Sequence, residues 1–255
     1  VIGGGPAGLQ FASVAAKRGH DVTLYEKEER LGGSILLASK IDSGEEELLR
    51  PIDYLVGECS RVGVKIHTGH KVSHEIIKFH NPDAIVVAAG AKSKTSLNLP
   101  QDSLYTAEDI MGKGKMPPAK SIIIGGNGVG LATAVFLLRG GQYELSIIEE
   151  ASRLGRDVNP FYLWRFVQIL KKNKVAILTN SKISGIDKDK IIVATPKGEQ
   201  SIQFDGVILA QREDRTGDFN HLKTLASEVY YIGDAKKPRR LNNAIHDGFR
   251  LGMII

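Results

Sequence analysis

A glycine-rich segment that occurs twice limits what this chain can fold into. It reads VIGGGPAGL at residues 1–9 and IIGGNGVGL at residues 123–131. After each copy come a stretch of helical character and an apolar strand that ends in a glutamate, Glu26 or Glu149. Both copies therefore predict a strand–helix–strand unit, and the internal repeat indicates two similar halves of an α/β protein.

The first copy has the spacing of a dinucleotide-binding turn. Gly3 is predicted to permit the tight turn, Gly5 to let a pyrophosphate approach the backbone, and Gly8 to let the helix pack against its strand. Free amides at the helix N-terminus and the helix dipole would then face the phosphates. Glu26 follows about twenty residues later, where a carboxylate accepts hydrogen bonds from ribose hydroxyls. An ordinary glycine turn is the alternative, but it does not explain all of these features in order.

The second copy departs from this pattern because Asn127 stands where the middle glycine belongs. Its side chain is expected to crowd a pyrophosphate, although asparagine tolerates a positive φ. Glu149 in the ribose position is expected to bond a 2′-hydroxyl and repel a 2′-phosphate, which favours NADH over NADPH. A domain that binds nucleotide weakly, or binds only ADP, is the alternative. The candidate nucleotide contacts here are Gly125, Gly126, Asn127, Gly128, Val129, Gly130 and Glu149.

Further segments support an α/β protein. Short β-branched runs bounded by Gly, Asp or Pro are typical of buried parallel strands. These runs lie at 62–67, 84–89, 175–178, 191–193 and 206–209, with a last strand at 229–232. Apolar residues at three- and four-residue steps predict helices over 45–61 and 161–173.

The composition excludes several classes of protein. No apolar run approaches the roughly 18 residues that cross a bilayer, so we expect a cytoplasmic protein with no membrane partner. A net charge of +5 from 34 basic and 29 acidic residues does not indicate a nucleic-acid surface. Cys59 is the only cysteine, which excludes a redox Cys pair within this chain. The histidines lack a fixed ligand spacing, so no metal site is expected.

Residues outside the turns carry a family resemblance. They are segments 26–27, 31–33, 46–55, 63–64, 82–91 and 232–249. Together with the first turn they resemble the C-terminal half of the NADH:flavin oxidoreductases, in the group of 2,4-dienoyl-CoA reductase and trimethylamine dehydrogenase. This group has a fold like that of the FAD-dependent pyridine nucleotide-disulfide oxidoreductases. The resemblance spans essentially the whole chain.

The resemblance implies FAD at the first turn. Residues 5–8 would hold the pyrophosphate, Glu26 the adenosine ribose, and a helix beginning near 243–245 would direct positive potential at the flavin pyrimidine. In the inserted half, the closing turn at 209–213 departs from the family pattern, as Asn127 does. The expected FAD contacts are Gly3, Gly5, Pro6, Ala7, Gly8, Glu26, Lys27, Arg30, Gly32, Gly33, Val72, Ala89, Gly90, Gly233, Asp234, Ala244 and Ile245.

We therefore predict two Rossmann-like three-layer nucleotide-binding domains, the second inserted in the first. The FAD-binding domain would be discontinuous, at 1–116 plus 226–255, and the inserted NAD(H)-binding-like domain would occupy 117–225.

The expected function is that of an FAD-dependent oxidoreductase module. It would pass electrons from NADH, rather than NADPH, through FAD to a partner redox centre missing from this chain. No side chain is assigned a catalytic role, because the cofactor supplies the reactivity. Both ends of the chain look cut from something longer, and the resemblance implies a preceding TIM barrel with FMN and a 4Fe–4S cluster. The alternative is a non-catalytic FAD- or ADP-binding docking domain of a larger flavoenzyme.

Overall fold

The computed structural model divides the chain into two compact units. The first comprises Val1–Ser39, Ser43–Lys92 and Arg212–Ile255, and the second comprises Lys40–Asp42 and Ser93–Gln211. The described residues are 1–41, 45–93, 97, 99–187, 189–213, 215 and 217–255.

The described residues form both helices and strands. The α-helices are α1 Pro6–Lys17, α2 Ile35–Ala38, α3 Arg50–Arg61, α4 His74–His80, α5 Gly128–Gly140, α6 Pro160–Lys172 and α7 Leu241–Ile254. Short 3-10 turns lie at Glu45–Leu49, Gln101–Ser103, Gly217–Thr224 and Gly233–Ala235, and a π-helical turn at Glu108–Gly112. The strands are β1 Thr23–Tyr25, β2 Lys65–His67, β3 Ala84–Val87, β4 Lys92–Ser93, β5 Leu104–Thr106, β6 Lys120–Ile124, β7 Glu144–Ile148, β8 Ala176–Leu178, β9 Lys182–Asp187, β10 Lys190–Thr195, β11 Gly198–Gln203, β12 Gly206–Leu209, β13 Arg212–Glu213 and β14 Glu228–Tyr231.

The first unit contains a parallel sheet whose central element is Ile2. Ile2 bridges to Tyr25 at the end of β1 and to Val87 at the end of β3. Outside these, β2 pairs with β1 and β14 pairs with β3, both in parallel. Counted along the chain, the spatial order is 3-2-1-4-5, which reverses direction between Ile2 and β3. In open α/β sheets, ligands bind beyond the carboxyl ends of the strands at such a reversal.

Helix α1 packs against the sheet of the first unit and against the helices α3 and α7. Leu9 and Phe11 of α1 are buried in one apolar cluster with Leu24 of β1 and with Leu55 of α3, and Leu251 of α7 closes the same cluster. The N-terminus of α1 is therefore fixed at the carboxyl edge of the sheet by packing along the whole helix.

The second unit has a parallel sheet with a similar order around its central strand, although its edge strand β5 precedes that strand in the chain, and it adds an antiparallel sheet. Its five-stranded sheet runs β5-β12-β6-β7-β8, and all neighbours are parallel. Helix α5, which begins in the second glycine turn, follows the central strand β6, as α1 follows Ile2. Mixed α/β units with this strand order confirm the predicted fold class.

The strand predicted at 191–193 is present, but the prediction that it belongs to a parallel sheet is wrong. It lies in β10, the middle strand of the antiparallel sheet β9-β10-β11, rather than in a parallel sheet. Ile191 and Val193 are nevertheless fully buried. A connection of two residues joins β10 to β11, and so short a loop makes an antiparallel hairpin, since parallel neighbours need a crossover. The apolar character of the segment alone does not distinguish a parallel from an antiparallel strand.

The bounds of the units differ from the domain division predicted from the sequence. Residues 93–116 belong to the second unit because β5 pairs with β12. Residues 212–225 belong to the first unit, where Leu222 is buried with Ile77 of α4. The Gly- and Pro-containing segment 113–118, which the sequence favours as a linker, lies inside the second unit.

The predicted helices agree with the structure to within a few residues. The one predicted over 161–173 is α6, which Asn159 caps by accepting a hydrogen bond from the amide of Phe161 at 3.0 Å. The one predicted over 45–61 begins with a 3-10 turn, and α3 itself starts at Arg50, next to Pro51. None of the helices in the described residues is both long and apolar enough to span a bilayer.

Cys59 gives a test of the packing of α3 against α1. Its side chain is fully buried, and its Sγ donates a hydrogen bond to the carbonyl oxygen of Leu9 at 3.3 Å. Burial, with a smaller contribution from the Glu58 carboxylate, raises the pKa of the thiol to about 11. We expect no reaction with a thiol-specific disulfide reagent at pH 8 in the folded protein, and complete reaction in denaturant.

The same pKa predicts the pH dependence of stability. The folded thiol has a pKa of about 11 against an ordinary value of 9.0, so its stabilising effect is present below pH 9 and is lost as the pH rises toward 11. Denaturant unfolding at pH 8 and pH 10.5 measures this loss, and Cys59→Ala should remove that part of the dependence. Rapid labelling of the native thiol at pH 8 would contradict the packing.

Candidate functional site

The first glycine turn has the geometry of a sterically required turn. Gly3 has φ +109°, and a Cβ there would lie 2.4 Å from the carbonyl oxygen of Ala88. A Cβ on Gly8 would lie 2.0 Å from the carbonyl oxygen of Gly3. Both positions therefore exclude any side chain. At Gly5 the nearest atom to a built Cβ is the Cα of Gly33, at 4.0 Å, so the space in front of Gly5 is open.

The first turn of α1 presents backbone amides for which the described residues supply no acceptor. Gly5 caps the helix with extended backbone (φ −79°, ψ −177°) and no side chain, and Pro6 has no N–H. Among the described residues, the amides of Gly5, Ala7 and Gly8 have no hydrogen-bond partner. Unpaired amides and the positive helix end favour an anion such as a diphosphate. The open space at Gly5 and these donors fit the pyrophosphate of FAD.

Glu26 supports the glycine turn from the end of β1. The residue is 7% exposed, and its Oε2 accepts a hydrogen bond from the amide of Gly4 at 2.7 Å. Oε1 accepts one from the amide of Glu28 at 3.0 Å. Because each carboxylate oxygen accepts more than one bond, capacity remains for ribose hydroxyls. Lys27, beside it, forms a surface ion pair with Glu28 at 3.0 Å.

The loop at 30–33 forms the wall opposite the turn. The amide of Gly32 donates to the carbonyl oxygen of Gly4 at 2.9 Å, which ties the loop to the turn. Gly33 has φ +58°, and a Cβ there would lie 3.3 Å from the Cα of Gly5. The Arg30 side chain is exposed.

The segment after β14 meets the first turn of α1 and holds an ionic cluster. A Cβ on Gly233 would lie 2.8 Å from the Cβ of Ala7, so Gly233 is in direct contact with α1. Asp234, one of the expected FAD contacts, pairs with Arg212 at 2.8 Å and accepts a hydrogen bond from the amide of Arg239 at 3.0 Å. Sequence reasoning missed both partners, since Arg239 lies in a basic run and Arg212 is remote in the chain.

The N-terminus of α7 lies earlier than expected. The helix begins at Leu241, and Ala244 donates its amide to the carbonyl oxygen of Arg240 at 3.3 Å. Ala244 and Ile245 are thus inside the helix. Among the described residues, Leu241 and Asn242 carry the amides without a partner. The expected flavin-facing donors shift to these two residues.

Val72 follows β2 in the chain, and Ala89 and Gly90 follow β3. Val72 and Ala89 pack against one apolar cluster together with Tyr231, and Gly90 has φ +69°. The Tyr231 hydroxyl is buried and has no partner in the described part of the chain. Sequence reasoning did not identify it, because a strand tyrosine is an ordinary core residue.

The second turn has the same backbone geometry. Gly125 has φ +107°, and a Cβ on Gly130 would lie 1.9 Å from the carbonyl oxygen of Gly125. The amide of Gly126 donates to Oε2 of Glu149 at 2.6 Å, as Gly4 does to Glu26. Asn127 has φ −77°, so it does not need the left-handed conformation that its tolerance of positive φ would allow.

The second turn differs in having its amides occupied. Asn127 caps α5: its Oδ1 accepts from the amides of Val129 at 2.9 Å and Gly130 at 3.1 Å, and its Nδ2 donates to the carbonyl oxygen of Ala210 at 2.8 Å. The amide of Gly128 donates to Oδ1 of Asp157 at 2.9 Å. As folded, this turn does not fit a dinucleotide pyrophosphate in the way that the first does.

Comparison with known proteins decides the family. The family model described as pyridine nucleotide-disulphide oxidoreductase matches residues 1–211. The chain belongs to this family. It is therefore a flavoprotein domain of the FAD-dependent oxidoreductase type, with Rossmann-like FAD- and NAD-binding folds, as the sequence predicted.

Individual relatives cover nearly the whole chain. A bilirubin reductase of Mediterraneibacter gnavus is 29% identical over 98% of this chain, and an NADH oxidase of Thermoanaerobacter brockii is 31% identical over 98%. The solved 2-naphthoyl-CoA reductase, in complex with 2-naphthoyl-CoA, has a TM-score of 0.85 and 30% identity over 100% of this chain. The chain spans only 39% to 40% of these proteins. This agreement confirms the resemblance to the C-terminal part of NADH:flavin oxidoreductases.

The two glycines of the first turn make a matched test. Gly5→Ala should fold with unchanged thermal stability, because a Cβ there meets nothing closer than 4.0 Å, yet it should lose FAD affinity by blocking the approach to the amides. Gly8→Ala should instead destabilise the fold itself, by about 2 kcal/mol or more, since its Cβ would overlap a backbone oxygen. Thermal unfolding of the FAD-free protein and flavin content measure the two effects. Normal FAD affinity in a folded Gly5→Ala protein would refute the assignment.

Proposed function

We propose that this chain is an electron-input module that takes electrons from NADH and passes them through FAD to a redox centre elsewhere in a longer protein. The observation that carries the FAD part is the set of unpaired amides at the open end of α1, next to the Glu26 carboxylate. Family membership supports the redox role.

The residues of the first unit would bind and orient the cofactor. The amides of Ala7 and Gly8 would hold the pyrophosphate, Glu26 the adenosine ribose, and the α7 amides of Leu241 and Asn242 the electron-rich side of the flavin. When bound, FAD supplies a hydride acceptor that can release electrons singly or in pairs. We assign no side chain to proton transfer, because position and electrostatic field are what this chain supplies.

Glu149 supports a preference for NADH. Its Oε1 accepts from the amide of Ala151 at 2.7 Å, and its Oε2 from Gly126, which fixes the carboxylate at the end of β7. A carboxylate held there accepts a bond from a ribose 2′-hydroxyl and repels a 2′-phosphate. The relative named NADH oxidase is consistent with this preference.

The electron acceptor belongs to the rest of the protein. The relatives are longer than this chain, and we propose that a TIM barrel with FMN and a 4Fe–4S cluster precedes it, as in the NADH:flavin oxidoreductases. The dinucleotides and this preceding domain would be its partners. Cytoplasmic location is part of the same proposal.

A second candidate function is a non-catalytic docking domain that binds FAD or ADP. The occupied amides of α5 favour it, because a second unit that does not bind a nucleotide could not deliver electrons. Under this alternative, FAD would bind to the first unit and remain oxidised in the presence of NADH.

Anaerobic reduction of the FAD-loaded full-length protein separates the two functions. We expect NADH to bleach the flavin absorbance and NADPH to do so more slowly. Glu149→Gln keeps an acceptor for the Gly126 amide but removes the charge, so the preference for NADH should fall about tenfold, the equivalent of roughly 1.4 kcal/mol.

Glu150→Gln is the matched control, since it removes an exposed neighbouring carboxylate. It should leave the preference unchanged. A flavin that neither nucleotide reduces would favour the docking domain, and equal rates with NADH and NADPH in the wild type would refute the role of Glu149.

A further inference from the structure

The two glycine turns share the same backbone hydrogen bonds, so their side chains can be compared directly. In the first, Gly32 donates its amide to the carbonyl oxygen of Gly4 at 2.9 Å, and in the second, Gly155 donates to Gly126 at 2.7 Å. Both turns also have a glutamate, Glu26 or Glu149, that accepts a hydrogen bond from the amide of the second glycine. With the backbone alike, a difference in nucleotide binding has to come from the side chains that reach the helix N-terminus.

Asp157 is the side chain that distinguishes the second turn most sharply. Its two carboxylate oxygens lie 2.9 and 3.2 Å from the amide nitrogen of Gly128, the first residue of α5. In the first turn, Pro6 is equivalent to Gly128. Ser34, two residues after Gly32, is equivalent to Asp157, two residues after Gly155. The first turn therefore has no carboxylate at its helix N-terminus among the described residues, and the second carries one.

We infer that Asp157 is a built-in anion at the N-terminus of α5, and that it determines the affinity of the second unit for pyridine nucleotides. The inference deepens the proposed function and rests on it. A dinucleotide phosphate seeks the same amide and the same helix dipole. Binding must therefore displace the carboxylate or accept a like charge beside it, and either effect weakens the complex.

The position of Asp157 allows displacement without unfolding. It lies in a turn where the amide of Val158 donates to the carbonyl oxygen of Gly155 at 2.9 Å, and Asn159 caps α6 just beyond it. The backbone on both sides is thus held independently of the bond to Gly128. The Asp157 residue is exposed, so solvent moderates the repulsion between its carboxylate and a phosphate. The consequence is weakened binding rather than exclusion.

Asn127 limits how much affinity the removal of Asp157 can restore. It occupies the amides of Val129 and Gly130 and is anchored to Ala210 through its Nδ2. Of the amides in the first turn of α5, loss of the Asp157 carboxylate would free that of Gly128. We therefore expect a moderate gain, about tenfold, which is typical of one charge-assisted hydrogen bond and one removed like charge.

The test measures binding of ADP-ribose to the FAD-loaded full-length protein by calorimetry. ADP-ribose carries the pyrophosphate but has no nicotinamide, so its binding is read without electron transfer. Asp157→Ala should lower the Kd for ADP-ribose about tenfold, and Asp157→Asn, which keeps an acceptor without the charge, about threefold. Adenosine, which has no phosphate, should bind all three proteins equally.

Asp205→Ala is the control for net charge. Asp205 is exposed and immediately precedes β12, so it lies at the opposite edge of the sheet from the glycine turn. It should leave the Kd for ADP-ribose unchanged.

Failure of this inference differs from failure of the proposed function. Unchanged or weaker ADP-ribose binding in folded, FAD-loaded Asp157 variants would overturn the inference, as would the absence of ADP-ribose binding in all of them. If Asp157→Ala does not fold, Asp157→Asn decides the matter by the same criterion. The proposed function fails separately, if saturating NADH leaves the wild-type flavin oxidised.

Discussion

The backbone amides in the first turn of α1 have no acceptor within the described protein, and the first unit is arranged around them. Ile2 and β3 define the sheet reversal at which this helix begins, and Glu26 braces the turn through the amide of Gly4. Packing of α7 along α1 fixes the helix from the other side. An unpaired helix N-terminus that faces open space is stabilised by an anion, and FAD brings a diphosphate.

In the second unit, the same turn has its helix amides occupied by side chains of the chain itself. An asparagine in place of the middle glycine caps the helix in the ordinary way, since its side-chain oxygen accepts from the amides two and three residues on. Asp157 supplies a negative charge at the remaining donor. Capping contributes to the stability of α5 but competes with phosphate for the same groups. The backbone fold of the glycine turn therefore does not by itself determine whether the turn binds a nucleotide.

The sequence predicted much of this, because local spacing determines it. Gly3, Gly8 and Glu26 occupy positions where the turn geometry admits few residue types, so the first turn was correctly placed. Contacts between segments remote in the chain were missed, including the pairing of Arg212 with Asp234 and the cap formed by Asp157. The strand at 191–193 was placed in the wrong kind of sheet, because buried strands of both kinds have the same apolar character.

The stoichiometry of FAD binding tests the central claim most directly. The claim is that one of the two glycine turns offers its amides to a dinucleotide diphosphate and that the other satisfies its own. Titration of the FAD-free protein, followed by the quenching of flavin fluorescence, should reach an end point at one FAD per chain. An end point at two would show that the occupied amides of α5 do not restrict binding, and no saturable binding would contradict the assignment of the first turn.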